Sequence, residues 1–455
     1  MNAVFAEHGF CAYLVGGAVR DMLMGKTPSD WDVTTNASPE QVMKIFRKVV
    51  PTGIAHGTVT VLFMRNSIEV TTFRTESDYS DGRHPDRVEY AATIEEDLSR
   101  RDFTMNSVAV SLSDGTVVDP FCGREDIRRG IIRTVGNPEE RFLEDGLRPV
   151  RAIRFAAQLK FCIEKNTYSA LFKPEIQKKT AGISVERFRD EIIKLLKTEE
   201  PSAGLKLLSD TRMLDIFAEE FRPCAGCIQS DGRGFHEFDV LEHLLYACDG
   251  APRDKLNVRL AALLHDIGKP QAKGTKIAGN ETLLTFYNHE HYSEKISRGL
   301  LTRLKFPNAL IDNVCHLIKH HMFNYEPTWT DAAVRRFLVR VGYENVADLI
   351  DLRLADIYGM HRTPVRLHDS PTGKLLRELT ERIEKEHTGT SALDLKSLAV
   401  NGRDLLQSGI PAGKTIGTVL TYLLETVLDD PLQNTKETLL CIAQNYYKHC
   451  IEHSE

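Results

Sequence analysis

Two aspartates separated by one residue, Asp30 and Asp32, have a spacing that could support chemistry. If residues 30–35 form a strand, residues i and i+2 project from the same face, so both carboxylates would point the same way. That arrangement suits one or two Mg²⁺ ions, which prefer oxygen ligands and can activate a hydroxyl while stabilising a leaving pyrophosphate. A lone D-x-D pattern is more often a solvated strand or turn, so the interpretation depends on neighbouring sequence.

The supporting sequence lies upstream, in Tyr13-Leu-Val-Gly16-Gly17-Ala-Val-Arg20-Asp21. The apolar run predicts a strand, and Gly16 and Gly17 lack a Cβ, so backbone N–H groups can approach phosphate oxygens. Arg20 can clamp a phosphate with its fork of donors. A strand, two glycines, a helix opening with Arg20 and two following acids together predict a site for a nucleoside triphosphate.

Further motifs follow in order: Arg100-Arg101-Asp102-Phe-Thr-Met-Asn106, Glu144-Asp145-Gly-Leu-Arg148, Arg151-Ala-Ile-Arg154 and Glu186-Arg187-Phe-Arg-Asp-Glu191. In this order they resemble the motifs of the class II tRNA nucleotidyltransferases, the family of the CCA-adding enzymes and the bacterial poly(A) polymerases. The resemblance covers about residues 10–220 and reappears near residues 398–440. It implies a Mg²⁺-dependent transferase that adds C, C and A to the tRNA 3′ end from CTP and ATP, without a nucleic-acid template.

The resemblance also implies roles for individual residues. Asp30 and Asp32 would hold the catalytic Mg²⁺, and Glu69, on an apparent strand, is either a third catalytic carboxylate or an exposed acid. The implied nucleotide-binding residues are Gly16, Gly17, Arg20, Arg101, Asp102, Asn106, Asp145, Arg148, Arg151 and Arg154. The implied supporting residues are Glu144, Arg187 and Glu191, with Glu144 orienting its neighbours through Arg187. The alternative for Arg101 and Asp102 is a surface salt-bridge cluster.

Asp145 and Arg148 suggest how bases could be selected without a template. Cytosine and adenine both carry an exocyclic amine beside a ring-nitrogen acceptor, whereas uracil and guanine place a carbonyl beside an N–H. Asp145 can accept from the amine, and Arg148, a pure donor, can serve the acceptor. A wrong base would leave polar groups unpaired, at roughly 1–3 kcal/mol each. Without the other motifs, ion pairing on a helix surface would be the better interpretation.

Two features should shape the region around these residues. Gly146 and Pro149 are poor helix-interior residues, which predicts a helix start or a kink near residues 146–149. The polar, turn-rich segment from Arg74 to Tyr90 suits a mobile loop. The resemblance implies that this loop is needed for adding the terminal adenosine, so its presence argues against an enzyme that adds only C residues.

A second chemistry is indicated by His265-Asp266-Ile-Gly-Lys269-Pro270, which follows an apolar helix. The pattern resembles the HD superfamily of metal-dependent phosphohydrolases, in which a helical core gathers histidines and aspartates around a metal. The implied metal ligands are His243 (or His236), His265, Asp266, His289, His320 and Asp356. Imidazole and carboxylate together suit a second divalent metal. Such a domain either hydrolyses phosphate esters or serves as a spacer.

Composition is that of an ordinary globular protein. The 455 residues include 27% charged and 42% hydrophobic residues, with a net charge of −6 that argues for a local rather than a global RNA-binding surface. The sequence predicts neither a membrane-spanning run nor a signal peptide, so we expect a cytoplasmic protein with no membrane partner. Nine cysteines without a secretion signal indicate reduced thiols. Cys224 and Cys227 lack a second pair nearby, so packing is favoured over zinc.

The predicted fold class is α+β. A head with a small sheet and flanking helices should span residues 1–137, and the remainder should be almost wholly helical. This head resembles the nucleotidyltransferase head of the DNA polymerase β superfamily. The helical part divides into a neck with nucleotide-selecting and RNA-binding motifs at 138–225, an HD-type domain at 226–365 and a tRNA-binding tail at 366–455. The tail includes Gly402, Arg403 and Asp404, and a helix N-terminus at Lys414 after Gly413.

The alternatives to full CCA addition are an A-adding specialist with a separate CC-adding partner, a poly(A) polymerase, and a protein that acts mainly as an HD phosphohydrolase. The chain ends in Lys448-His-Cys-Ile-Glu-His-Ser-Glu455, which is not the strongly basic extension of a poly(A) polymerase. The sequence does not determine the oligomeric state.

Overall fold

A computed structural model describes residues 1–28, 30–54, 57–77, 87–229, 237–278, 281–363, 370–389 and 394–451. The chain divides into two compact units, Met1–Pro223 with Leu300–Pro307, and Cys224–Gly299 with Asn308–Glu455. Strands are concentrated in the first unit and helices dominate the second, which confirms the predicted α+β class. No helix in the described part of the chain is long and apolar enough to cross a membrane.

The strands, in chain order, are β1 Ala12–Val15, β2 Trp31–Thr35, β3 Val49–Gly53, β4 Thr58–Phe63, β5 Asn66–Thr72, β6 Arg74–Ser77, β7 Arg87–Tyr90, β8 Ala109–Ser111, β9 Val117–Val118, β10 Ile131–Ile132, β11 Cys162–Ile163, β12 Gly274–Ala278 and β13 Glu281–Thr285.

The helices are α1 Asn2–Glu7, α2 Gly17–Leu23, α3 Pro39–Ile45, α4 Ile94–Ser99, α5 Gly123–Arg129, α6 Pro138–Glu144, α7 Arg148–Leu159, α8 Lys165–Ala170, α9 Pro174–Ala181, α10 Val185–Leu196, α11 Pro201–Asp210, α12 Met213–Phe217, α13 Val240–Gly250, α14 Leu256–Leu264, α15 Lys269–Ala272, α16 His289–Arg303, α17 Asn308–His320, α18 Asp331–Val341, α19 Tyr343–His361, α20 Pro371–Gly389, α21 Gly402–Gln407, α22 Lys414–Asp429 and α23 Lys436–Tyr446.

A mixed sheet in the order β3-β4-β5-β2-β1-β8-β9 organises the head. β2 and β5 are parallel, while β1 is antiparallel to both β2 and β8. Leu14, Val33 and Val70 pack into one core with residues of α1, α2 and α3. Because side chains alternate along a strand, Asp32 and Glu69 project from the opposite face. One sheet face is therefore the core, and the other carries the polar site.

The predicted interruption near residues 146–149 is confirmed. Helix α6 ends at Glu144, and α7 begins at Arg148 with Pro149 in its first turn. Gly146 lies so close to α9 that a Cβ there would be 2.4 Å from the backbone oxygen of Lys179. Between the helices Asp145 has extended backbone, φ −136° and ψ 113°. The break thus places Asp145 just before Arg148, in a short non-helical connection.

Helices α13 and α19 of the second unit pack at unusually close range. A Cβ on Gly359 of α19 would lie 2.8 Å from the backbone oxygen of His243 and 2.9 Å from the Cβ of Ala247, both on α13. Since α13 carries His243 and α19 carries Asp356, this close approach helps to bring two of the predicted metal ligands together.

The second unit also contains a β-hairpin, where the sequence patterns predict almost only helix. β12 and β13 pair antiparallel from Gly274 with Thr285 to Ala278 with Glu281. Each strand has only five residues, and a run that short is hard to classify by periodicity alone. In the tail, helix α22 begins at Lys414 after Gly413, as predicted.

Gly359→Ala tests the close helix packing. The added methyl group would meet backbone atoms that cannot rotate away, so we expect the free energy of unfolding to fall by about 1–3 kcal/mol. Gly417→Ala, in α22 with open space around it, is the matched control and should be neutral or stabilising by up to about 1 kcal/mol. Thermal unfolding followed by circular dichroism measures both, and equal melting temperatures would contradict the packing argument.

Candidate active site and metal cluster

Carboxylates from neighbouring parallel strands meet on the polar face of the head sheet. Asp32 on β2 is directly paired with Glu69 on β5, and exposed Asp30 immediately precedes β2. Burial raises the pKa of Asp32 against the influence of Arg101, and Asp30 raises it further. Burial and then Asp32 raise the pKa of Glu69, with Arg74 opposing. Both pKa values are raised chiefly because burial disfavours the charged carboxylates, and a bound cation would offset that cost.

Gly16 leaves room between the acid and an arginine. Its φ is +68°, and a Cβ there would lie 3.3 Å from Arg101 Nη1 and 3.4 Å from Asp32 Oδ2. Gly17 opens α2, where a Cβ would lie 3.6 Å from Arg20 Nη2. Glycine is therefore favoured at position 16 by backbone conformation and by space.

Asp97 is a positioning residue that the sequence analysis missed. Its side chain is fully buried and accepts hydrogen bonds from Arg100 Nε at 3.0 Å and Nη2 at 2.8 Å, and from Arg101 Nη2 at 3.2 Å. Although burial acts to raise it, the two guanidinium groups lower the pKa of Asp97. The sequence signal that could have identified Asp97 is its spacing, because it precedes Arg100 and Arg101 by three and four residues at the end of a helix.

A buried polar network connects α2 to the neck helices. Arg20 Nη1 donates to Asn106 Oδ1 at 3.0 Å, and Asn106 Nδ2 donates to Asp102 Oδ1 at 3.2 Å. Asp102 Oδ2 is 2.7 Å from Arg151 Nη2. Although burial acts to raise it, Arg151 and the hydrogen bonds from Arg151 and Asn106 lower the pKa of Asp102 to about 2. Asp102 is therefore ionised at neutral pH and holds Arg151.

The network continues along α7 and α10. Glu191 Oε2 accepts from Arg154 Nε at 2.8 Å, and Glu191 Oε1 is 3.9 Å from Arg151 Nη1 and 2.9 Å from Lys194 Nζ. The Arg154 guanidinium also lies 3.5 Å from the ring centroid of Phe155. Arg20 and Arg154 thus have protein partners, and neither of them is among the residues that line the cavity described below.

Asp145 and Arg148 are held by different partners from those expected. Arg187 donates to both carboxylate oxygens of Asp145, at 3.0 and 2.7 Å. The residue that Arg187 orients is therefore Asp145, and not Glu144. Glu144 instead accepts from Arg141 at 2.9 Å and from Arg148 Nη1. The expectation of a link from Glu144 to Arg187 is therefore corrected: the helix break after Glu144 turns the next residue toward α10.

Some of these residues line one cavity of about 360 Å³ within the first unit. Its lining includes metal-binding, phosphate-binding and base-selecting candidates: Asp32, Glu69, Arg74, Arg100, Arg101, Asp102, Asp145, Arg148 and Arg151. The fold therefore brings together motifs that are more than 100 residues apart in the chain. The central part of the predicted mobile loop, residues 78–86, lies outside the described residues, and its flanks form the hairpin β6–β7.

The second unit gathers a buried cluster of imidazoles and carboxylates. The described residues contain two ligand groups that could each hold a metal ion and that share one acid: His243, His265, Asp266 and Asp356, and Asp266, His289 and His321. Asp266 Oδ2 is 3.3 Å from the Nε2 atoms of His243 and His265, while its Oδ1 is 3.0 Å from His289 Nε2 and 3.7 Å from His321 Nε2. Each oxygen of the Asp266 carboxylate thus faces a different pair of histidines.

Backbone hydrogen bonds fix the orientation of three of these rings. The Nδ1 atoms of His265, His289 and His321 lie 2.7–2.9 Å from the carbonyl oxygens of residues 262, 286 and 318. Each Nδ1 must donate to its carbonyl, so in the neutral rings the Nε2 lone pairs face the cluster. His289 and His321 approach to 3.3 Å between Nε2 atoms. Two facing lone pairs repel unless a proton or a metal ion lies between them, so the donor set fits a cation.

The predicted ligand His320 is corrected to His321. His320 instead packs against His316 with ring centroids 4.6 Å apart, and burial and then His316 lower the pKa of His320 to about 4. Helical spacing explains the difference, because residue 321 follows buried Val314 and Ile318 by seven and three positions and shares their face. The same spacing, applied to the sequence, would have favoured His321.

Other predictions have simple outcomes. His236, the alternative to His243, lies outside the described residues. All eight cysteines with described side chains are free thiols, including the buried Cys224 and Cys227. Burial raises the pKa of both thiols.

Family models and relatives agree with this arrangement. Residues 12–133 match the poly(A) polymerase head domain, residues 160–224 a probable RNA- and SrmB-binding site of polymerase A, and residues 281–443 a tRNA nucleotidyltransferase domain 2. A CCA-adding enzyme of Enterococcus faecalis is 34% identical, with 96% of this chain and 92% of that protein covered. One from Geobacillus stearothermophilus is 33% identical, with 95% and 92% covered.

A solved structure extends the likeness to three dimensions. The crystal structure of the Bacillus stearothermophilus CCA-adding enzyme in complex with CTP is 31% identical, covers 98% of this chain and 96% of its own, and superposes with a TM-score of 0.72. The head is thus of the poly(A) polymerase type, and its cavity is lined by both carboxylates and arginines, as in a nucleotidyltransferase. Within that class the chain belongs to the family of CCA-adding enzymes.

Gly16→Ala tests the space beside Asp32. A methyl group there would intrude between Asp32 and Arg101, so affinity for a nucleoside triphosphate with Mg²⁺ should fall at least about tenfold, as for a lost charged contact. Gly115→Ala is the matched control, because Gly115 also has positive φ (+76°) but nothing within 4 Å. Both variants should lose about 1–2 kcal/mol of stability to left-handed strain. Equal affinities by calorimetry would contradict a role for this space.

Proposed function

We propose that this protein is a CCA tRNA nucleotidyltransferase that adds C, C and A to the tRNA 3′ end from CTP and ATP, releasing pyrophosphate. The observation that carries the proposal is the single cavity that joins the carboxylates of β2 and β5 with Asp145 and Arg148 of the neck. Family membership and the relative solved with CTP support it. A tRNA substrate also fits the cytoplasmic location expected from the sequence.

The residues of the head fit Mg²⁺, because Asp32 and Glu69 offer hard oxygen donors on one sheet face beside Asp30. Mg²⁺ bound there would favour ionisation of the attacking hydroxyl and offset charge on the leaving pyrophosphate. Arg101, held by Asp97, is placed to bind the phosphates, and Asp102 holds Arg151 at the cavity wall. These contacts position the triphosphate for attack.

Transfer of the nucleotide forms one bond to phosphorus and breaks another. The 3′-hydroxyl oxygen of the RNA forms a bond to the α-phosphorus of CTP or ATP, and the bond from that phosphorus to the bridging oxygen breaks. Pyrophosphate leaves with the electron pair, and the hydroxyl proton passes to solvent. The chain's own contribution is to bind, orient and select.

Base selection depends on the hydrogen-bonding groups of Asp145 and Arg148 that their contacts within the protein do not use. Asp145 Oδ1 accepts two hydrogen bonds, one from Leu147 N and one from Arg187. Asp145 Oδ2 accepts one hydrogen bond from Arg187, so this oxygen can also accept a hydrogen bond from an exocyclic amine. Arg148 uses Nη1 for Glu144 and the backbone oxygen of Arg141, and Nη2 for the backbone oxygen of Arg100. A guanidinium has five N–H groups, so it can still donate to a ring nitrogen.

The histidine cluster supports a second candidate function, metal-dependent hydrolysis of phosphate esters. The observation that favours this function is that two groups of possible metal ligands share Asp266. A divalent metal held there would polarise a phosphate ester. We also propose that the tail, residues 398–440, contacts tRNA, since the tRNA nucleotidyltransferase domain 2 match reaches residue 443.

Extension of three synthetic tRNAs, ending at the discriminator base, at C and at CC, tests the main proposal. With CTP, ATP and Mg²⁺ the shortest tRNA should gain CCA and stop. Extension of only the CC-ended tRNA by one A would instead identify an A-adding specialist, and a long A tail a poly(A) polymerase. Asp32→Asn should reduce addition by at least about 100-fold without weakening tRNA binding, because it removes a metal ligand.

Two controls accompany this test. Asp114→Asn, at an exposed position after β8, should leave addition unchanged. His265→Ala should spare addition and abolish hydrolysis of a phosphate ester, whereas Asp32→Asn should do the reverse. Normal addition by Asp32→Asn would refute the metal assignment.

Asp145→Ala tests base selection. Removing the acceptor should weaken the discrimination of CTP and ATP against UTP and GTP by about tenfold to 100-fold, the equivalent of one unpaired polar group. Arg187→Lys should give a smaller loss, since Lys cannot hold both oxygens of Asp145. Asp190→Asn, an exposed acid on the same helix as Arg187, is the control. The readout is kcat/KM for each single nucleotide, and unchanged ratios in Asp145→Ala would rule out its role.

A further inference from the structure

The turn from Asp145 to Arg148 carries both of the proposed base-selecting residues. It is closed by a hydrogen bond from Arg148 N to the backbone oxygen of Asp145, at 3.0 Å. Inside the turn, Leu147 N donates to Asp145 Oδ1 at 2.9 Å. The backbone of this turn therefore sets the direction of the Asp145 carboxylate and the start of α7, the helix that carries Arg148.

Gly146 is the residue of this turn whose own backbone is restrained least. Its close approach to Lys179 of α9 leaves no room for a Cβ, so the position requires glycine. Glycine, however, restricts its φ and ψ angles less than any other residue. Unless another contact holds it, the peptide group between Gly146 and Leu147 could rotate and turn its N–H away from Asp145.

Thr180 of α9 supplies such a contact. Its side chain is fully buried, and its Oγ1 donates to the backbone oxygen of Gly146 at 3.0 Å. This oxygen and the Leu147 N–H belong to the same planar peptide group. A hydrogen bond at the oxygen therefore also fixes the direction of the N–H that donates to Asp145 Oδ1.

The next helix, α10, restrains the same carboxylate directly. Arg187 of α10 donates to both oxygens of Asp145. Helices α9 and α10 thus act on this turn at two places, the backbone oxygen of Gly146 and the side chain of Asp145. A carboxylate that is held in both ways is preorganised to accept one pattern of hydrogen-bond donors.

We infer that Thr180 is a positioning residue for base selection. Its side chain does not line the nucleotide cavity, and it acts on Asp145 through the peptide group of Gly146. Loss of its hydroxyl should impair the choice of base and leave the metal- and phosphate-binding groups of the head in place. The inference rests on the base selection by Asp145 that is proposed above.

Thr180→Val tests the inference, because it puts a methyl group of similar size against the Gly146 oxygen. The full-length chain is assayed in Mg²⁺ for kcat/KM, with CTP and UTP on a tRNA ending at the discriminator base and with ATP and GTP on a CC-ended tRNA. Both preferences, CTP over UTP and ATP over GTP, should fall by about threefold to tenfold, the usual effect of one neutral hydrogen bond. A loss of stability alone would lower the four values together and leave the two ratios unchanged.

Three further variants accompany this test. Thr180→Ser keeps the hydroxyl and should keep the wild-type ratios. Thr180→Ala removes the hydroxyl without placing a methyl group against the oxygen, and it replaces Thr180→Val if that variant does not fold. Thr211→Val is the matched control, because Thr211 is equally buried but its Oγ1 donates to the Leu207 oxygen one turn earlier, at 2.7 Å. It should keep both ratios.

The outcomes separate this inference from the proposed function. If Asp145→Ala keeps the wild-type ratios, base selection by Asp145 fails and the role of Thr180 fails with it. If Asp145→Ala loses discrimination while Thr180→Val and Thr180→Ala retain it, only the role of Thr180 is overturned. An equal loss in Thr180→Ser or in Thr211→Val would also overturn it, since the effect would then come from packing or stability and not from the hydroxyl.

Discussion

The ion pair between buried Asp102 and partly buried Arg151 is the interaction on which the proposed nucleotide site depends. Asp102 lies in the head and Arg151 on α7, the helix that also carries Arg148. Groups that bind phosphate and groups that select a base must be held a fixed distance apart, and this pair joins the two elements. Removing Arg151 would leave the buried Asp102 carboxylate without its cation, which destabilises such a site more than replacing both partners does. The Asn106 bond to Asp102 extends the restraint to α2.

A similar principle governs Asp145 and Arg148, the proposed base-selecting residues. Asp145 and Arg148 are held by Arg187, Glu144 and backbone oxygens, so their positions are set before a nucleotide arrives. Preorganised donors and acceptors lose little on binding, whereas a mismatched base would leave them unpaired. The helix break after Glu144 makes this possible, because a continuous helix would direct Asp145 along its own surface.

The two sites use different donor chemistry. The head offers carboxylates on adjacent strands, which suit a hard cation that brings its own phosphates. The second unit offers four imidazoles around two acids in a buried space, which suits a transition metal. Close packing of α13 and α19 at Gly359 helps to assemble the second site, whereas strand pairing brings Asp32 and Glu69 together in the first.

Residues differed in how well the sequence predicted their place in the structure. Gly16, Asp32, Asp145 and the break near Pro149 were accessible because their signals are local: backbone freedom, strand alternation, motif order and helix breaking. His321 was missed for its neighbour His320, although helical spacing carried the answer. Asp97 was missed because a buried acid that only positions arginines resembles any helix-end salt bridge. The hairpin β12–β13 was missed because its two short strands are stabilised by pairing with each other, which periodicity within one strand does not reveal.

By itself, the sequence determined the α+β class, the family resemblance and most residues that could carry chemistry, because these depend on residue type and spacing along the chain. Only the tertiary structure decided which of those residues meet. It paired Asp32 with Glu69 through strand register, and it placed Arg187 against Asp145 rather than Glu144. Such pairings join residues far apart in the chain, and they follow from packing geometry, which no local sequence pattern encodes.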